Sequence, residues 1–79
     1  LADLAFATGD YGRALAGYRV LLKAHPADAP AAERAGISAL QLGDIEESVI
    51  LLDRATALPG ASWRAWNARA VAADRQRDW

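Results

Sequence analysis

The side chains best suited to chemistry in this sequence are few, and their spacing isolates them. His25 is the only histidine, and there is no cysteine. A metal site needs several His, Cys, Asp or Glu ligands brought together, and His25 has no second imidazole and no thiolate to join it. Its place before Pro26, at the end of an apolar segment, suits a ring facing the last carbonyls of a helix. Glu46 and Glu47 are neighbours in sequence, so on a helix they diverge and belong to a solvated face. Ser38, Ser48 and Ser62 have no general base in reach in the predicted geometry. Gly9 and Gly12 are too sparse for a loop that cradles phosphate. Of the three tryptophans, Trp66 is expected in the core and Trp63 half exposed, while Trp79 is expected to be structural. No catalytic set assembles, so neither an enzyme nor a cofactor nor a metal is expected.

What does recur is a joint. "GDYGRAL" (9–15) is echoed by "GDIEESV" (43–49), and the chain ends in "RDW". Asp10, Asp44 and Asp78 are therefore spaced by 34 residues. In the same register Tyr11, Ile45 and Trp79 align, as do Ala5, Ala39 and Ala73, and Ala2, Gly36 and Ala70. Ala14 meets Ser48, and Tyr18 meets Leu52. Gly permits a tight reversal of the chain. The Asp behind it can accept a bond from an N–H in the first turn of the next helix, where its charge also suits the helix dipole. The small residues allow close approach of two helices, and Tyr18 and Leu52 fill the gap on the far side.

The elements that carry these joints are helices. Ala, Leu, Arg and Glu dominate the composition and β-branched residues are few. Gly9 and Gly43 break the periodic segments, Pro26 and Pro59 follow them, and Pro30 suits a first helical turn. The expected helices span 1–8, 11–24, 29–42, 45–57 and 62–76, with links so short that successive helices pack antiparallel. Helix pairs repeating every 34 residues indicate an all-α solenoid.

At 79 residues the chain is one small domain at most. Nine Lys+Arg against ten Asp+Glu give a net charge of −1, which argues against a nucleic-acid face. No apolar run approaches the roughly 18 residues of a membrane span. The missing initiating Met and the broken third joint predict a piece of a longer array, with open ends that associate.

The stretch "GDYGRALAGYRVLLKAHP" (9–26) resembles the tetratricopeptide repeat, through Gly9, Asp10, Tyr11, Ala14, Tyr18 and Pro26. A second unit fits through Gly36, Gly43, Asp44 and Ser48, although Pro59 comes one residue early. A third offers Trp66 at the family's Trp site, with Arg69 where Leu is usual. The resemblance implies a right-handed α-solenoid of antiparallel hairpins. On that resemblance residues 1–79 would form one array, with 1–28 a partial first unit, 29–62 the second, and 63–79 the first helix of a third. It also implies a concave groove lined by the first helix of each hairpin. Carried over by register, that set is Asp3, Phe6 and Ala7; Glu33, Ile37, Leu40 and Gln41; and Arg64, Asn67, Val71, Asp74 and Arg75. Its occupant would be a protein or peptide partner, its centre Leu40, which either a partner or a neighbouring helix of the array must cover. Asp3 and Glu33 have the wrong sign for the subclass that clamps a C-terminal carboxylate.

A narrower likeness lies in "ALPGASWRAWNARAVAADRQRDW" (57–79), which resembles TadD-like repeat proteins of bacterial tight-adherence (Flp) pilus assembly. It implies an assembly factor of the bacterial cytoplasm or cell envelope. Two other readings are a self-association module, with a homodimer formed through residues 63–79, and an RNA-binding helical repeat, which would need a basic stripe that Asp3, Glu33 and Asp74 interrupt.

Overall fold

A computed structural model describes residues 2–77, and all of its regular structure is helical. The helices are α1 (Ala2–Ala7), α2 (Tyr11–Ala24), α3 (Ala29–Gln41), α4 (Ile45–Ala57) and α5 (Trp63–Arg77). Each packs on the next, and α3 also touches α5. The third joint, Asp78 and Trp79, lies outside the described residues, as does Leu1.

The two complete joints are built alike. Gly9 and Gly43 take φ of 84° and 85°, the left-handed region that favours glycine. The Asp10 N–H reaches back to the Ala5 carbonyl at 2.8 Å, and Asp44 to Ala39 at 2.9 Å, a closure that satisfies carbonyls left open at a helix end. Each Asp then caps the helix that follows. Asp10 Oδ1 accepts from the Arg13 N–H at 3.4 Å, and Asp44 Oδ1 from the Glu47 N–H at 3.2 Å. Asp28 caps α3 in the same way through the Ala31 N–H at 3.2 Å, with Pro30 in the first turn. His25 closes α2 through its backbone N–H, which donates to the Leu21 carbonyl, and its residue is exposed.

The core is mostly alanine, so the helices must approach closely to bury it. Ala14, Ala32, Ala35, Ala39 and Ala55 are fully buried, and Tyr18 and Leu52 are the largest side chains sealed among them. Gly36 shows how close the approach is. A Cβ there would lie 2.5 Å from Leu52 Cγ.

Two expectations are corrected here. Leu40, expected at the centre of the inner face with either a partner or a neighbouring helix as its cover, is only 7% exposed and packs with Leu52, Ala68 and Ala72. Its cover is α4 and α5. Trp66, expected in the core, is 53% exposed, and Trp63 is 72% exposed. The small residues Ala65, Ala68 and Ala72 make the buried face of α5 instead, so both indoles lie off the contact.

Candidate functional site

Spacing along α1 sets Asp3, Phe6 and Ala7 on one face, and spacing along α3 does the same for Glu33 and Ile37. The fold brings these five together with Arg34 and Arg64 around a depression of about 310 Å³. A second hollow of about 250 Å³ shares Glu33, Arg34 and Arg64 and continues past Pro30 to Trp63. The surface is thus a short groove crossing α1, α3 and the start of α5.

Three of its charges, Asp3, Arg34 and Glu33, are held in place. The Tyr18 hydroxyl donates to Asp3 Oδ1 at 2.6 Å, and Arg34 Nη1 donates to the same oxygen at 2.9 Å. The Tyr18 bond, assisted by Arg34, keeps the Asp3 carboxyl below its usual value. Burial, and then Asp3, pushes the Tyr18 phenol up to about 12. Phe6 meets Tyr18 edge-on at 6.1 Å and Tyr11 at 5.9 Å, which fixes the apolar wall.

On the other side, the Ser62 hydroxyl donates to the Glu33 carboxylate. The expectation that Ser62 has no general base in reach is therefore overturned, since a carboxylate accepts its hydrogen bond. The same oxygen accepts from the Ala65 N–H at 3.4 Å, so the pair caps α5 and ties its first turn to α3. Ser38 and Ser48 are fully buried, and their hydroxyls have no partner among the described residues. Arg64 has no acidic partner among the described residues, and its guanidinium lies 5.7 Å from the Trp63 ring centre.

Of the residues expected in the groove, Asp3, Phe6, Ala7, Glu33, Ile37 and Arg64 line the depression. Gln41, Asn67, Val71, Asp74 and Arg75 are exposed but lie beyond it. Leu40 is core. Arg34 was missed by the sequence reading. Its spacing of three from Ile37 would have found it, since that places it on the same side of α3.

Two hairpins and a further helix, packed in series beside a short groove across α1, α3 and α5, make a helical-repeat fold. The matching joints 34 residues apart take this further, because the family model described as tetratricopeptide repeat matches residues 1–62 and again 35–79. The chain belongs to that family. Its repeats generally mediate protein–protein interaction and are typically non-catalytic. A search of curated proteins finds no match. No helix among the described residues is long and apolar enough to cross a membrane.

Proposed function

We propose that this chain is a protein-interaction scaffold that receives a partner segment in the groove across α1, α3 and α5. The observation that carries this reading is the depression itself, where Phe6 and Ile37 offer apolar contact between charges of both signs. Asp3 and Glu33 are already engaged, by Tyr18 with Arg34 and by Ser62 respectively. Arg64 is left to orient the partner. Fixed side chains lose little freedom on binding, which favours affinity from a small surface. The test uses Ala7→Glu and Arg64→Glu, both at exposed positions, in pull-downs from the source organism's lysate. Both variants should melt like the parent and lose the same captured protein. Capture of that protein by both would place its binding surface elsewhere.

The Trp63-to-Asn67 run supports a finer assignment, to bacterial pilus or secretion assembly, and the captured partner's identity tests it directly. Self-association is a second reading, supported by exposed Trp63 and Trp66 on α5. Sedimentation velocity across a concentration series, with Trp66→Ser as the weakened variant, decides it.

A further inference from the structure

The outer side of the repeat stack carries a different surface. Arg19 and Lys23 of α2 and Arg54 of α4 ring a depression of about 380 Å³, with Leu22, Leu51 and Pro26 completing its lining. Leu22 and Leu51 are 4% and 7% exposed, so the floor is apolar and fixed. Among the described residues, no acidic one lines it.

Two of the three cations are held by the protein. Arg19 Nε donates to Glu47 Oε2 at 2.8 Å, and its Nη2 reaches the other Glu47 oxygen. Arg54 Nη2 donates to the Pro26 carbonyl at 3.2 Å. Each guanidinium carries five N–H donors, so each keeps donors for a ligand while its position is set. Glu47 offsets the Arg19 charge. Lys23 and Arg54 have no acidic partner among the described residues, and they leave two positive charges over a leucine floor. Lys23 and Arg54 stand in the last turns of α2 and α4, where a cation also offsets the helix dipole. That accounts for their sign. It does not account for a hollow shaped between them.

We propose that this outer depression binds an acidic protein segment, one with a bulky apolar residue flanked by carboxylates. The apolar residue fits the Leu22 and Leu51 floor, and the carboxylates meet Lys23 and Arg54. Charge complementarity selects the acidic segment, and the leucine floor selects a peptide over a bare anion. The chain's net charge of −1 makes the local excess a feature of this surface and not of the whole molecule.

The probe is a short fluorescein-labelled peptide built from Glu-Leu-Glu units, read by fluorescence anisotropy in low salt and again in physiological salt. Amide shifts of the ¹⁵N-labelled chain locate its contact. Shifts should centre on Leu22, Lys23, Leu51 and Arg54. Lys23→Glu/Arg54→Glu should weaken binding about tenfold, as expected for two exposed charge pairs. Arg13→Glu/Arg77→Glu changes the net charge equally at exposed sites outside the depression and should leave affinity near the parent's. Lys23→Glu alone gives the intermediate value, and thermal melts establish that each variant is folded. Equal weakening in both double variants overturns the proposal, because binding would then follow overall charge. So does an oligonucleotide that binds through these residues where the peptide does not. So does inorganic phosphate producing the same shifts with nothing added by the peptide. Arg64 and Ala7 take no part, so failure here leaves the groove reading standing.

Discussion

Tyr18 holds its place by volume and by one hydrogen bond, and substitution separates the two. It is 1% exposed, so Tyr18→Ala opens a cavity and should cost about 3–5 kcal/mol. Tyr18→Phe keeps the ring and removes only the bond to Asp3, for about 1 kcal/mol. The two variants also differ in pH dependence. Because the folded phenol is raised from 10.0 to about 12, the fold favours the protonated form. Its contribution is complete below pH 10 and is lost as the pH rises from 10 to about 12. Asp3 runs the opposite way: held below 3.8, it contributes above that pH and fades as the pH falls further. Urea unfolding followed from neutral to strongly alkaline pH should show a late loss of stability in the parent. Tyr18→Phe should flatten that loss, and an unchanged alkaline slope would break the link between phenol and fold. Ser48 makes a second case. Its sealed hydroxyl has no partner among the described residues, and Ala14 fills the matching site of the first unit, equally buried. Ser48→Ala should therefore add about 1 kcal/mol, or about 4–8 °C in melting temperature for a domain of this size. A lower melting temperature would mean that the hydroxyl has a partner in solution.

Between elements, small residues act by what they allow to approach, as two helical glycines show. At Gly36 an added Cβ would meet Leu52 Cγ at 2.5 Å and Leu51 Cβ at 3.4 Å, and Leu52 is fully buried. Gly36→Ala should thus destabilise by about 1–3 kcal/mol through overpacking, despite the better helix propensity of Ala. At Gly12 a Cβ meets nothing within 4 Å among the described residues, so Gly12→Ala should stabilise by about 0.5–1 kcal/mol. Chemical denaturation of the pair gives opposite signs if α3 and α4 are in contact where described, and equal signs if they are not. Leu40→Ala belongs at this scale too. It removes the side chain that α4 and α5 enclose and should cost about 2–5 kcal/mol. The helices were legible in the sequence because their punctuation is local. Gly9, Gly43, Asp10, Asp44 and Pro30 act within a turn or two of themselves, and the expected boundaries fall within about a residue of those observed. Six of the seven residues that line the depression were legible for a related reason, since register carries a face from α1 to α3 and on to α5. Leu40 and Trp66 were not. Periodicity says which side chains share a face, and it is silent on which neighbour covers that face. Leu40 is covered in part by α5, an element one helix removed in sequence. Trp66 was placed in the core as the residue at the family's Trp site, while Ala65, Ala68 and Ala72 make the close contact that excludes it.

For the whole molecule, a linear stack distributes stability unevenly, because each unit is supported only by its neighbours. Helix α3 buries eight residues and lies against α2, α4 and α5, whereas α1 buries only Ala5 and α5 only three alanines. Opening should therefore begin at α1 and α5 and reach α3 last. Native-state hydrogen exchange should give the highest protection to α3 amides, slightly less to α4, and clearly less to α1 and α5. Uniform protection across all five helices would show a single cooperative unit and contradict this order. The unevenness bears on binding, because the groove is walled by the same three elements: α3 as its firm centre, α1 and α5 as its looser sides. The ties between them are the Asp3–Arg34 pair and the Glu33–Ser62 bond, both polar contacts between side chains that water can reach. A partner that spans the groove binds only when both walls are in place, so it must stabilise them by linkage. At a free partner concentration of about 100 times Kd, that linkage amounts to about 2.7 kcal/mol. Hydrogen exchange in the presence of the captured partner should then slow the amides of α1 and the first turns of α5 far more than those of α3. If protection rises instead along α2 and α4, the partner occupies the outer face, and the Arg64→Glu variant will have kept its binding.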